Sequence, residues 1–415
     1  MGEYMPSLEM VNFRPEEVPL EDIDVSQRSL WVANRQQEFF SRLRDEAPVH
    51  FCKDSEFGPY WSVTRFADIM EVEANWQSFS SDPAITIVEP EEDFPLPMFI
   101  AMDPPKHDEQ RKTVQGSVAP ANLKNLEGTI RTRVQRVLDD LPTHEEFDWV
   151  DRVSIELTTQ MLATLFDFPF EDRRMLTRWS DVATGGPETG VVESEEQRQE
   201  ELLECLAYFT RLWEERAKQG LSNDLVSMLA HGEATQDMSP QEYLGNLILL
   251  IVGGNDTTRN SMTGGVLALN ENPGEYAKLR NNPGIIPSMV SEIIRWQTPL
   301  AHMRRLATRD YQLGGQTINA GDKVIMWYLS GNRDERAIDR ASEFIIDRDR
   351  VRTHLSFGFG VHRCMGNRLA EMQLKILWEE IQRRFHMVEV VGEPGRVPSN
   401  FVHGYTHLPT VLHPH

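Results

Sequence analysis

Cys364 is the residue whose surroundings point most directly to chemistry. It lies in the run Phe357-Gly358-Phe359-Gly360-Val361-His362-Arg363-Cys364-Met365-Gly366, and the helix-forming stretch N-R-L-A-E-M-Q-L-K follows. A cysteine just ahead of a helix meets free backbone N–H groups and the helix dipole, which favour the thiolate, the form that ligates metals. Gly358 and Gly360 let the backbone turn closely beneath a flat ligand. The other two cysteines, Cys52 and Cys205, read as small buried apolar residues. Three cysteines supply no disulfide framework, so a reducing compartment, the cytoplasm, is expected.

Three further segments carry reactive or charged residues at meaningful spacing. Residues 253–258 read Gly-Gly-Asn-Asp-Thr-Thr. Two adjacent glycines inside a helix cost about 1–2 kcal/mol together. They serve either close helix packing or a bulky ligand, with a widened turn that admits water. Glu292 and Arg295, at i and i+3, share a helix face and can pair. In the run from Met102 to Arg111, Pro104-Pro105 opens a helix and places His107 and Arg111 on one face, at i and i+4.

The elements that position these residues are mostly helical. Ser239-Pro240-Gln241-Glu242 reads as a capping box with proline at the first helical position. It opens a helix expected to run to about Asn272, where Pro273 stops it; at about 1.5 Å per residue this helix is roughly 50 Å long. Val134, Val137, Leu138 and Leu141 follow helical spacing, as do Leu157, Met161, Leu162 and Leu165. Most of residues 106–297 therefore reads as helix, as does 66–74. Strands are expected at 49–52, 60–64, 311–313, 324–328, 388–391 and within 398–412. The segment 81–97, rich in proline and acid, is a loop. The fold expected is mainly α with a small β region. It forms one domain over 1–415, with residues 1 to about 45 as an extension and first helix, because the β-rich ends can meet.

Composition narrows the function. Hydrophobic residues are 40% and charged residues 26% of 415, which excludes a disordered or low-complexity chain. A net charge of −23 repels phosphate backbones, so nucleic acid is not expected as a partner. The longest apolar run, residues 247–252, is far short of the roughly 20 residues that span a bilayer. No signal peptide is expected.

The Cys364 segment, the most specific, together with residues 253–258, the Glu292–Arg295 pair and residues 102–111, resembles the cytochrome P-450 family from about Pro48 to the C-terminus. The resemblance implies the cytochrome P-450 fold, with haem b held between the long central helix and the Cys364 loop, and Cys364 thiolate as the iron ligand. A thiolate ligand pushes electron density that favours O–O cleavage. Phe357 and Gly358 belong to the haem-binding loop. His107, Arg111, Arg305 and His362 match propionate partners, which two buried carboxylates require. Asp256 and Thr257 match the acid–alcohol pair that relays protons to dioxygen. Glu292, Arg295 and Arg348 match a structural triad.

The implied reaction inserts one atom of dioxygen into a C–H bond and reduces the other to water. No flavin or nicotinamide motif is present, so electrons are expected from a ferredoxin and its reductase, with Lys112, Arg363 and Arg368 as the docking cations. Alignment with the family offers Ile87, Val88, Leu96, Met98, Leu249, Val252, Gly253, Leu300, Ala301, Met303, Phe401 and Val402 as an apolar substrate pocket. The runs L-P-M-F-I-A-M-D-P-P-K-H-D, G-G-N-D-T-T-R-N-S-M-T-G-G and T-P-L-A-H-M-R-R look like the bacterial branch that hydroxylates alkanes and fatty acids at the chain terminus. A terpenoid or other small apolar substrate is the alternative. Other classes are a haem-thiolate peroxygenase, isomerase or sensor, against which Asp256 and Thr257 argue, and a helical binding protein without haem.

Overall fold

The structure is a computed structural model that describes Pro6 and residues 8–415. One helix, Pro240–Glu271, organises it. At 32 residues it is about 48 Å long. The Ser239 hydroxyl accepts the Glu242 backbone N–H at 3.2 Å, and Pro240 occupies the first turn. The expected capping box is only half formed. The Glu242 carboxylate reaches Lys106 Nζ at 2.8 Å and accepts from Gln110 at 2.6 Å, because these cross-helix donors outcompete the local one.

The two halves of this helix are buried in different cores. Tyr243, Leu247 and Ile251 pack with Phe166, Trp179 and Phe209 from neighbouring helices. Met262, Val266 and Leu269 pack with Val134, Ile293, Leu377 and Trp378. These last come from the helices Pro120–Asp139, Ile286–Gln297 and Asn367–Arg384. Residues 253–254 and 257 lie between the two cores and belong to neither.

The β structure forms separate small sheets. Val49–Cys52 pairs antiparallel with Tyr60–Val63, which runs parallel to Lys323–Met326. Lys323–Met326 pairs antiparallel with Met303–Ala307, which pairs with Phe79–Ser80. Pro409–Pro414 lies between Phe385–Val390 and Glu146–Asp148. The N-terminal strands thus meet those at 303–326, while the C-terminal strands join a short strand inside the helical region. The strand expected at 324–328 ends at Met326, and Tyr328–Gly331 is a helical turn. Residues 81–97 contain no helix or strand.

Candidate active site

A cavity of about 870 Å³ opens where the central helix passes the Cys364 loop. This is in the upper part of the range for ligand pockets, about 300–1,000 Å³. Phe357, Gly358, Cys364, Met365 and Gly366 line one side; Leu249, Val252, Gly253, Gly254 and Thr257 line the other. The paired glycines divide their work. A Cβ at Gly253 would meet nothing within 4 Å, so this position opens to the cavity. A Cβ at Gly254 would come within 2.6 Å of Leu162 Cδ2, so this one serves helix packing. The helix runs through both without the widened turn expected.

Cys364 is exposed to the cavity, whereas Cys52 and Cys205 are buried. Its N–H donates to the Phe357 carbonyl at 2.8 Å, closing the loop on itself. Gly358 and Gly360 adopt φ of 66° and 70°, left-handed values that glycine takes without strain. Burial pushes the Cys364 thiol up; the backbone N–H groups of Gly366 and Asn367 and the guanidiniums of Arg111 and Arg363 pull it down.

The basic residues converge beside this loop. His107 is buried against His362, with ring centroids 4.3 Å apart. His107 Nδ1 meets Asp108 at 2.7 Å and His362 Nε2 meets the Ser81 hydroxyl at 2.8 Å. The remaining ring nitrogens, His107 Nε2 and His362 Nδ1, are buried without a partner. Burial lowers both histidines, for His362 with the help of nearby Arg305. Arg111 and Arg305 line the cavity. The Arg305 guanidinium also meets Glu73 Oε2 at 2.6 Å, and the Tyr328 hydroxyl donates to the other oxygen of this buried carboxylate. Sequence reasoning missed Glu73 and Tyr328. Glu73 follows the apolar Ile69 and Val72 of its helix, and no spacing marks it as Arg305's partner.

Thr257 faces the cavity, its hydroxyl donating to the Gly253 carbonyl at 2.8 Å. Asp256 does not line the cavity. Its buried carboxylate is paired with Arg259 and accepts from Ser180 at 2.7 Å. Arg259 also bonds Asp181 at 3.0 Å, and that side chain is partly exposed. Off the cavity wall, although its neighbour Ile294 lines it, Arg295 makes two bonds to Glu292, at 2.7 and 2.8 Å, and Arg348 Nε adds a third at 3.1 Å. Arg295 also donates to the carbonyls of Asn332, Ala341 and Glu343, tying the helix to the following loop. Lys112, Arg363 and Arg368 are exposed.

Ile87, Val88, Leu96, Met98, Leu300, Met303 and Phe401 lie on the cavity wall beside Leu249, Val252 and Gly253. Ala301 and Val402, expected there, are buried behind it. Ala301 packs in the core with Ile325 and Trp327. The Ser399 hydroxyl accepts the N–H groups of Phe401 and Val402, and the tightened turn presents Phe401 and withdraws Val402. The wall also includes Phe94, Phe99, Leu165 and residues 183–186. These come from segments whose sequence periodicity reports only helix or loop.

A cavity with one exposed cysteine on its floor, an apolar ceiling and convergent His and Arg side chains defines a thiolate-type cofactor site. Comparison with known proteins agrees. The Cytochrome P450 family profile matches residues 284–402. The chain is 33% identical over 407 residues to linalool 8-monooxygenase of Pseudomonas putida, covering 95% of this chain and 100% of that protein. It is 31% identical over 411 residues to the methyl-branched lipid omega-hydroxylase of Mycobacterium bovis, covering 95% and 96%. The solved cytochrome P450-153 from Novosphingobium aromaticivorans superposes with a TM-score of 0.89 at 49% identity, covering 94% of this chain and 99% of that one. The chain belongs to the cytochrome P450 family. It is an oxygen-incorporating oxidoreductase, a monooxygenase, whose cofactor is haem with a cysteine thiolate ligand.

The residues present fit that group. His107 Nε2 and His362 Nδ1 are buried polar atoms without a partner beside the cavity, and Arg111 and Arg305 supply positive charge for the group's carboxylates. No helix among the described residues is long and apolar enough to cross a membrane.

Proposed function

We propose that this monooxygenase hydroxylates unbranched, medium-length chains, alkane or fatty acid, at the terminal methyl group. The observation that carries the reading is the apolar ceiling over Cys364. Leu249, Val252, Leu300, Met303 and Phe401 line the cavity there, with Gly253 as the open position among them. A terminal methyl has the strongest C–H bond of such a chain, so terminal selectivity must come from a wall that admits the chain end first. The name of the methyl-branched lipid omega-hydroxylase, a relative at 31% identity, supports a terminal site of attack. The linalool 8-monooxygenase at 33% identity favours a second reading, a terpenoid substrate.

In this reading Cys364 is the thiolate ligand, and His107, Arg111, Arg305 and His362 hold the propionates. Bound haem supplies dioxygen activation. The Thr257 hydroxyl, freed from the Gly253 carbonyl, would hold a proton at the cavity face of the helix. Asp256, held by Ser180, connects through Arg259 to the partly exposed Asp181, toward solvent. The exposed cations Lys112, Arg363 and Arg368 dock an acidic ferredoxin, itself reduced by a ferredoxin reductase.

The test is a panel of linear alkanes, fatty acids and cyclic terpenes, titrated into the haem-loaded protein and followed by its spin-state change. Products are then analysed by chromatography with surrogate redox partners. Primary alcohols from octane support the reading. Mainly internal alcohols, or turnover of cyclic terpenes only, overturn it.

A further inference from the structure

We infer that the mouth of the cavity is a charge filter, which admits uncharged chains and holds out those ending in a carboxylate. The inference rests on the linear-chain reading for the shape of the substrate, but not for its charge.

Away from the Cys364 end, the cavity wall carries five glutamates, at 56, 89, 91, 188 and 195, against two arginines, Arg28 and Arg198. Neither arginine is free. Arg28 meets Glu56 at 2.6 Å and Glu188 at 3.4 Å. Arg198 meets Glu91 at 2.5 Å and Glu195 at 2.6 Å. Burial and the neighbouring Glu91 raise the Glu195 carboxyl against the pull of Arg198, the mark of crowded acids. Glu89 is held at 2.9 Å by Arg304 and at 2.5 Å by Lys323, two nearly buried cations that line no part of the opening. The remaining wall cations, Arg111 and Arg305, stand beside Cys364.

A fatty acid entering methyl-first would leave its carboxylate among these groups. No cation there lacks a partner, and each arginine is already shared by two glutamates. The incoming charge would be desolvated without a new ion pair and would add to an acid excess, on a chain of net charge −23. An alkane, or the primary alcohol it yields, meets no such penalty. The acids come from separate segments: the turn at 55–58, the loop 81–97, the turn Pro187–Thr189 and the helix Glu195–Arg216. Their gathering therefore has no sequence signature.

Two imidazoles with the same eight-carbon tail test the filter, one ending in methyl and the other in carboxylate. Imidazole ligates the iron of the haem-loaded protein and shifts its absorption band, so binding is read without turnover. The carboxylate probe should bind at least about tenfold more weakly at low salt, and the gap should narrow as ionic strength rises. Glu91→Gln with Glu195→Gln frees Arg198 and should close most of the gap. If that double variant fails to load haem, the rim substitution Glu188→Gln, which removes one acid and leaves Arg28 to Glu56 alone, should narrow it. Equal affinity for both probes in the unaltered protein overturns the filter, as does a gap unmoved by the substitutions in a variant that loads haem. Failure of the linear-chain reading looks different: octane is not turned over, yet the probe gap persists.

Discussion

Opposing influences meet on the sulfur of Cys364. Burial disfavours the thiolate, and the N–H groups of Gly366 and Asn367 with Arg111 and Arg363 favour it. Bound iron would tip the balance, since a coordinating thiol is deprotonated outright. Cys364→Ser should therefore abolish the thiolate-type carbon monoxide difference spectrum, while Cys52→Ser and Cys205→Ser keep it; a spectrum that follows either buried cysteine assigns the ligand elsewhere. Thr257 and Asp256 are adjacent in sequence but face different surroundings. Thr257→Ala should retain haem and substrate binding yet divert reducing equivalents to hydrogen peroxide. Asp256→Asn removes the charge opposite Arg259 and should slow turnover roughly 100-fold or more, with better coupling than Thr257→Ala. Peroxide yield per electron consumed separates the two, and a Thr257→Ala protein as tightly coupled as its parent removes the hydroxyl from the relay. The motif residues were legible because their spacing is local. The surroundings of Asp256 were not: Ser180, which bonds it, and Asp181, which bonds its partner Arg259, lie more than seventy positions away and meet the pair only through helix packing.

At the scale of elements, the central helix shows what a pattern of glycines can and cannot disclose. Its extent was legible from Ser239, Pro240 and Pro273, since caps and breakers act locally. Which glycine packs and which opens was not, because that depends on what passes over the helix. A Cβ at Gly245 would lie 2.1 Å from the Pro97 carbonyl oxygen, a backbone atom that must move with its loop. Gly245→Ala should lower stability by about 1–3 kcal/mol. Gly253→Ala should instead raise the stability of the cofactor-free protein by up to about 1 kcal/mol, through helix propensity alone. Thermal melting of both variants checks this, and equal melting points contradict it.

His302 couples two wall segments in a similar way. Its Nδ1–H donates to the Asn400 carbonyl at 3.0 Å, and its Nε2 accepts the Ile87 N–H at 3.1 Å. The Ile87 bond needs the neutral ring, and burial lowers its pKa from 6.5 to about 4 against the pull of the Asn400 carbonyl. Between these values the unfolded chain binds more protons than the folded one. The stabilisation is complete above pH 6.5 and is lost as pH falls toward 4, by roughly 3 kcal/mol over the window. Melting temperature should fall through that range, and more gently in His302→Gln. An unchanged slope in the variant removes His302 from the account.

On the scale of the whole molecule, the site lies where the two cores that bury the central helix part, with Leu165 packed against both. Tyr243 to Ile251 belong to one and Met262 to Leu269 to the other, and the cavity occupies the interval across from Cys364. The β segments close its far side through Met303, the Leu300–Val402 bridge and the turn at Phe401. Regiochemistry is thus a property of packing from several elements, and no single motif encodes it. Leu249 and Val252 lie on the helix side of this space and Leu300 and Phe401 on the other. Leu249→Ala removes bulk from the wall without touching Cys364 or Thr257, so a chain can lie more obliquely beneath the helix. Product from octane should shift from the terminal toward the penultimate carbon. A difference of about 1.4 kcal/mol between the two approach geometries is tenfold in product ratio, so partial loss of the wall is enough to be measured. Chromatography of the alcohols from both proteins reads the ratio directly; an unaltered ratio in a variant that still binds octane would mean that another part of the wall aims the chain.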